Sequence, residues 1–181
     1  MYLPFYHFET ERTLFSDNTF GMIGRALTFA VYFESTFKRI SELMSIKSTF
    51  RSCKFGLEND NEFKCFLERL ESKSLYQHIK KIGLYFEFDE DITSLMIKAK
   101  NARNFIAHEL TLGIGINDII ETDKSREYVS ESLREKITEI AKANIILTFL
   151  ICLATNEDLP SLDYLKKYIN MILKWVLEVD D

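Results

Sequence analysis

Apolar residues recur every three or four positions along most of this chain, which is the period of an α-helix that buries one face. The first such stretch follows the possible cap Asp17-Asn18-Thr19 and continues to about Lys47. Its apolar positions are Ile23, Ala26, Leu27, Ala30, Val31, Phe37, Ile40 and Met44. No proline interrupts it, so the pattern predicts one long first helix, followed by a polar loop over Ser48–Asn61.

The next two apolar stretches predict a second and a third helix. The second is expected from near Glu62 to Gly83, with a bend around Ser72-Lys73-Ser74 and with the glycine as its terminator. The third is expected to begin at a cap, either Asp89 or Asp91, and to end near Leu110.

A fourth helix is predicted from about Ser125 to Ala154, and Pro160-Ser161 opens a fifth. Six glycines and two prolines among 181 residues are too few to punctuate a β-sandwich or to build a glycine-rich phosphate loop. The sequence therefore predicts an all-α bundle of about five helices that forms one domain over residues 1–181, with residues 1–16 as an N-terminal arm.

Charge and cysteine content restrict the class of protein further. The net charge of −5 argues against extensive wrapping of nucleic acid, but it leaves room for a small phosphate site. Three cysteines without a CxxC pair favour a reducing compartment. The strongest apolar run, Ala143–Ala154, has 12 residues, whereas a membrane span needs about 20. We expect a cytoplasmic protein without a membrane segment.

The predicted third helix contains the residues that carry the strongest chemical signal. At 100° per residue, Arg103 falls inside the apolar stripe and Asn104 lies at its border. The stripe consists of Ile92, Met96, Ala99, Ile106, Ala107 and Leu110. An arginine among buried positions is costly unless it is paired or lies at an interface.

His108 lies five residues after Arg103, or ~140° around the same helix. The two side chains therefore converge on one ligand only if the helix loosens near Ala107 or if a second chain completes the site. A purely structural interpretation is also open: Arg103 pairs with an acid such as Glu34 or Glu42 on the first helix, and His108 caps the helix end at the surface.

Other candidate residues are weaker. Lys98 and Lys100 are either a solvated flank or a small patch that attracts phosphate. His7 and His78 are far apart and lack the spacing of a zinc site, so we expect no metal and no cofactor. His78 is expected to be exposed.

The segment Arg103-Asn104-Phe105-Ile106-Ala107-His108 resembles the R-x4-6-H motif of the HEPN superfamily, in which the residue after the arginine is typically polar. The resemblance implies a helical bundle with metal-independent endoribonuclease activity at a dimer cleft. In that arrangement Arg103 holds the phosphate, His108 moves protons, Asn104 orients either group, and Lys98 and Lys100 attract the substrate. The expected products are a 2′,3′-cyclic phosphate and a 5′-hydroxyl.

The resemblance also implies a biological role and partners. We expect a toxin or antiviral-defence effector that cleaves RNA as a homodimer and has an antitoxin or a regulatory protein as a possible partner. Small residues beside Arg103, namely Ala99 and Ala107, suggest a close helix–helix contact between the two copies. The alternative is a catalytically inactive HEPN-like bundle that serves as a dimerisation, partner-binding or nucleotide-sensing module.

The chain departs from one branch of the family. Toxins paired with nucleotidyltransferases continue the motif as H-x-Y, whereas this chain reads His108-Glu109-Leu110. Modification of that tyrosine by a partner enzyme is therefore not expected.

Overall fold

The computed structural model describes residues 14–51, 64–65, 68–69, 72–110 and 123–178. Within these ranges the protein is an all-α helical bundle without a β-strand, as predicted. Its helices are α1 (Leu14–Arg51), α2 (Leu75–Phe86), α3 (Glu90–Asn104), α4 (Asp123–Thr155) and α5 (Leu162–Leu177). A π-helical turn, Phe105–Glu109, continues α3, and residues 64–65 and 68–69 are also helical.

Helix α1 begins earlier than the sequence indicated. The expected cap, Asp17-Asn18-Thr19, is wrong because these residues lie inside the helix, which already includes Leu14. Thr19 is buried, with 1% of its surface exposed, so packing against the bundle outweighs the low helix propensity of this polar run. The helix extends to Arg51, slightly beyond the expected end. Most of the predicted arm and of the predicted loop lies outside the described residues.

The predicted second helix is interrupted at residues 72–74, where a bend was expected; its expected start near Glu62 lies outside the described residues, and its expected end at Gly83 is wrong. A new helix begins after Ser74, because Ser74 and Gln77 form a reciprocal capping box: Ser74 Oγ accepts from Gln77 N, and Gln77 Oε1 accepts from Ser74 N. Gly83 does not end the helix. It lies inside α2, which ends after Phe86 at Glu87, a residue with a left-handed φ of 53°.

Gly83 serves a packing purpose instead. A Cβ at this position would lie 3.3 Å from Cδ2 of Phe88, so the missing side chain makes room for the Phe88 ring. The Phe88 amide donates to Gly83 O at 2.9 Å, which fastens the turn between α2 and α3 against the end of α2.

The starts of the later helices are confirmed. Asp89 caps α3, since its Oδ1 accepts from Ile92 N at 2.7 Å. Ser161 caps α5 by accepting from Tyr164 N at 3.3 Å. Helix α4 matches the expected range within two residues at each end.

The core is centred on α4, which packs against α1, α3 and α5, while α2 packs on α1 and α3. The buried positions of α4 follow one helical face: Val129, Leu133, Ile137, Ile140 and Leu147. They meet the aromatic face of α1, in which Phe33 and Phe37 form an edge-to-face pair with ring centroids 5.3 Å apart.

One long part of α4, Glu127–Thr155, contains a stretch apolar enough to cross a membrane, with a mean hydropathy of 1.8 over its most apolar 18 residues. It is longer than the apolar run Ala143–Ala154 because its first half carries many charged and polar residues. Within the bundle, 44% of its most apolar window is buried, and the core helices of soluble proteins meet the same criteria.

His78 is the one histidine whose predicted exposure is wrong. Its side chain is completely buried, like Leu75, Ile79 and Ile82 on the same side of α2, and α2 packs against α1 and α3. Neither ring nitrogen has a well-formed hydrogen bond. Burial lowers the pKa of His78, and the charge of Lys38 lowers it further.

Candidate active site

The last turn of the third helix widens from α-helical to π-helical geometry after Asn104. The Leu110 amide donates to Phe105 O at 2.8 Å, a bond that spans five residues instead of four. Ile106 and Leu110 remain buried, so the turn keeps its core face while it takes in one additional residue. The additional residue rotates His108 back towards Arg103. The helix therefore loosens, which was the first of the two ways to bring these side chains together.

Arg103 and His108 are in contact. Arg103 Nη1 lies 3.4 Å from His108 Nε2 and also donates to Asn104 Oδ1 at 3.1 Å. A guanidinium has no acceptor, so His108 Nε2 must accept, and the proton of the neutral ring then sits on Nδ1. The structure thus brings together the three residues that the sequence motif singled out.

The second nitrogen of the guanidinium is held by helix α1. Arg103 Nη2 pairs with Oε2 of Glu34, and Oε1 of the same carboxylate binds Lys38 Nζ at 2.9 Å. The pairing of Arg103 with Glu34 was the structural alternative considered from the sequence, and it is confirmed. It uses one guanidinium nitrogen and one carboxylate oxygen, so it does not occupy the whole arginine fork.

The charge of Glu34 is stabilised by its two partners. Burial alone would raise the pKa of this carboxyl group, but the hydrogen bond from Lys38 and the positive charge of Arg103 outweigh burial and lower the pKa below its usual value. Glu34 is therefore ionised at neutral pH and fixes the position of both cations.

The site is open on one side. The Arg103 side chain is 21% exposed and His108 is exposed, whereas Arg103 Nε is buried without a hydrogen-bond partner. A half-buried guanidinium beside an exposed imidazole is an arrangement that binds a phosphate and moves a proton next to it. The finding that would have argued most strongly against a phosphate site, a fully buried Arg103 in a bidentate carboxylate pair, is not what the structure has.

The two lysines of the predicted substrate patch lie away from this contact. Lys98 is exposed and lines a cavity along α3 and the turn before it. Lys100 places its Nζ 5.6 Å from the ring centroid of Tyr76 in α2. On an α-helix Lys98 lies ~140° from Arg103 and Lys100 only ~60°, so only Lys100 faces towards the site.

Lys38 is the residue that sequence reasoning missed. It supplies a second cation next to Arg103, and 35% of its side chain is exposed. The signal was present, since Glu34 and Lys38 have the spacing of a favourable glutamate–lysine pair on one helix face. That spacing is common in surface helices, so it did not point to a site by itself.

Within the described ranges, no three His, Cys, Asp or Glu side chains are grouped so that they could hold a metal ion. No protein-family model, curated protein or solved structure matches this chain.

Proposed function

We propose that this protein is a HEPN-type, metal-independent endoribonuclease. The observation that carries the proposal is the contact between Arg103 Nη1 and His108 Nε2 at 3.4 Å, which the π-helical turn makes possible beside a partly exposed guanidinium. Wide turns of this kind occur frequently at functional sites.

The chemistry follows from the donors and acceptors present. A phosphodiester bound at Arg103 accepts hydrogen bonds from the guanidinium, which stabilises the additional negative charge that develops on the phosphorane. His108 Nε2 exchanges its hydrogen bond from Arg103 for one from the 2′-hydroxyl and then accepts that proton as the 2′-oxygen attacks phosphorus. The P–O5′ bond then breaks, and the leaving 5′-oxygen takes up a proton from the imidazolium. The products are a 2′,3′-cyclic phosphate and a 5′-hydroxyl.

Asn104 and Glu34 are positioning residues in this scheme. Asn104 Oδ1 holds Nη1, and Glu34 holds Nη2, so the guanidinium plane is fixed before substrate binds. Lys38 remains next to Glu34 as a further cation, and Lys98 and Lys100 are proposed to attract the RNA.

We further propose that two copies form the active cleft of a cytoplasmic toxin or antiviral-defence effector, with an antitoxin or a regulatory protein as a possible partner. The expected contribution of Ala99 and Ala107 to the contact between the two copies is only partly possible. Ala99 is buried within the bundle and is not available to a second copy, whereas Ala107 is half-buried. The exposed position of His108 supports a cleft at this end of α3.

One observation favours the alternative, an inactive HEPN-like module that binds a partner or a nucleotide. Arg103 is already paired with Glu34, and a substrate phosphate must share the guanidinium with that carboxylate. In an inactive module the same ion pair would only join α1 to the end of α3.

The two functions are separated by an RNA cleavage assay in EDTA with purified wild type and His108→Ala. The proposal requires fragments that end in a cyclic phosphate and a 5′-hydroxyl from the wild type and none from the variant. A folded wild type that leaves single-stranded, structured and transfer RNA intact would contradict it and favour the alternative.

A further inference from the structure

A groove with an apolar floor runs between α2 and α3, outside the contacts of Arg103. It consists of a cavity of about 240 Å³ between the two helices and an adjoining cavity of about 530 Å³ along α3 and the turn before it, and the two share Phe88, Thr93 and Ile97 as common walls. Tyr76 and Leu84 from α2 line the smaller cavity, and both are exposed. The groove is large enough for a planar ring and its ribose, and its walls are mostly apolar, as in sites that bind organic ligands.

Three lysines border the groove. Lys80 lines the smaller cavity, Lys98 lines the larger one, and Lys100 lies over the ring of Tyr76. In the part of the chain that the structure describes, no carboxylate oxygen lies within 4.0 Å of the ammonium nitrogen of any of the three, so none of them forms an ion pair there. Unpaired cations on one groove of a protein with a net charge of −5 indicate an anionic ligand.

Acidic residues occupy only the far end of the groove. Asp89 and Glu90 line the larger cavity at the start of α3, and Asp89 is already engaged in capping that helix. The positive and negative groups are therefore separated along α3, and the lysine end is the one that continues towards Arg103. Lys100 and Arg103 are three residues apart, or ~4.5 Å along the helix axis.

Tyr76 is the residue of the groove best suited to contact a nucleobase. Its side chain is 52% exposed, and one side of its ring faces the Lys100 ammonium. An exposed aromatic ring next to unpaired lysines is the combination that binds single-stranded nucleic acid, because the ring stacks on a base while the cations contact the flanking phosphates. The carboxylates of an acidic peptide would pair with the lysines, but they make no use of the exposed Tyr76 ring.

We infer that this groove binds single-stranded RNA beside the proposed active site, with one base stacked on Tyr76 and the flanking phosphates held by Lys80, Lys98 and Lys100. The inference rests on the proposed ribonuclease function, and it adds a base-binding subsite that the HEPN-like motif does not contain. The RNA is then held on the α2–α3 side while its scissile phosphate lies at Arg103.

The test measures binding of a short fluorescein-labelled single-stranded RNA in the His108→Ala background, so that cleavage does not interfere. Tyr76→Ala is expected to weaken binding by roughly 5- to 150-fold, which corresponds to the 1–3 kcal/mol of one base–aromatic stack. Tyr76→Phe keeps the ring and should bind within about twofold of the parent protein. Lys98→Glu and Lys80→Glu should weaken binding and flatten its dependence on salt by ~0.7 in log–log slope for each phosphate that the variant no longer neutralises.

Lys167→Glu on α5 is the matched control, because it makes the same change of charge at an exposed position far from the groove in the sequence. It should keep the affinity and the salt slope of the parent. Equal affinity of Tyr76→Ala and the parent, with correct folding shown by circular dichroism, would overturn the inference. Equally tight binding of polyglutamate would also overturn it, because the groove would then recognise acidic peptides.

The same variants, made in the wild-type background, distinguish this inference from the proposed function. If wild type cleaves RNA and Tyr76→Ala cleaves equally well at limiting substrate, the groove is not a substrate subsite although the ribonuclease assignment stands. If wild type does not cleave but RNA binding still depends on Tyr76, the catalytic proposal fails and the groove remains an RNA site.

Discussion

Arg103 and His108 touch, with Nη1 and Nε2 3.4 Å apart, although they are five residues apart on a helix whose regular geometry would point them ~140° away from each other. The π-helical turn Phe105–Glu109 resolves the discrepancy by adding one residue between them. The contact is therefore built within one chain, and a second copy is not needed to bring these two side chains together. A dimer would instead place two such pairs in one cleft.

His108 should be needed for catalysis but not for folding. It is exposed in the last turn of the helix, where a substitution usually changes the free energy of unfolding by no more than about 0.5 kcal/mol. Loss of a proton-transfer group commonly lowers the rate 10²–10⁴-fold. His108→Ala should therefore melt within a few degrees of wild type but lose RNA cleavage and any growth arrest on expression. Equal toxicity of the two proteins would exclude the catalytic role.

Arg103→Lys should abolish most activity although it keeps the charge. The guanidinium contacts Glu34, Asn104 and His108 at once, and a lysine ammonium cannot reproduce that fork. We expect at least about a 100-fold loss of kcat, as for removal of one oxyanion donor. Because lysine still pairs with Glu34, the variant should remain folded. The measurement is kcat with a fluorogenic RNA, and activity close to that of wild type would mean that charge alone suffices.

Fold class and helix pattern were predictable from the sequence, because burial of one face of each helix leaves a period of 3.6 residues in the chain. The predictions that proved wrong concern residues whose structure is decided by individual tertiary contacts. A glycine is typical of a helix end, but Gly83 lies inside α2, where its missing side chain makes room for the Phe88 ring. Asp17-Asn18-Thr19 has the composition of a cap, but tertiary packing keeps it helical.

The candidate site was predictable only in part. Arg103, Asn104 and His108 were found from their order, and Glu34 was named as a possible partner of the arginine. A regular-helix projection cannot reveal a π-helical turn, because no residue type specifies the additional residue. His78 was expected at the surface because its neighbours in the sequence are mostly polar, and those neighbours gave no sign that the bundle buries this residue.

The proposed homodimer has a candidate interface next to the site. On α1, Leu27 and Val31 are 41% and 49% exposed, and they lie about two turns and one turn before Glu34 on a continuous side of the helix. A second copy that covers this side would bring its own site close to the first. Sedimentation of wild type at tens of micromolar should give about twice the 21.3 kDa chain mass.

Val31→Asp should shift that equilibrium towards the monomer, because it places a charge in the apolar contact. Met171→Asp on α5 makes the same kind of change at another half-exposed apolar position and should leave the dimer intact. A wild type that sediments only as a monomer would contradict the dimer proposal, and dissociation by both variants would contradict the choice of interface.

His78 should make the protein less stable as the pH falls below neutrality. Burial lowers the pKa of His78 in the folded state, and the charges of Lys38 from α1, Lys73 before α2 and Lys81 within α2 act in the same direction. The backbone of Lys73 acts in the opposite direction but does not cancel them. In the unfolded chain the pKa returns to its ordinary value of 6.5. Below that pH the unfolded state binds more protons than the folded state, so the free energy of unfolding falls.

The slope should approach, at most, about 1.4 kcal/mol for each pH unit below 6.5. His78→Leu should remove this contribution and should also stabilise the protein by ~1–3 kcal/mol at neutral pH, because both ring nitrogens are buried without a well-formed hydrogen bond. Urea unfolding between about pH 7 and pH 5 measures the difference in the free energy of unfolding between wild type and His78→Leu. This range lies above the pH at which Glu34 takes up a proton, because the pKa of Glu34 is below its usual value. The same slope in wild type and His78→Leu would show that His78 is protonated without cost in the folded protein.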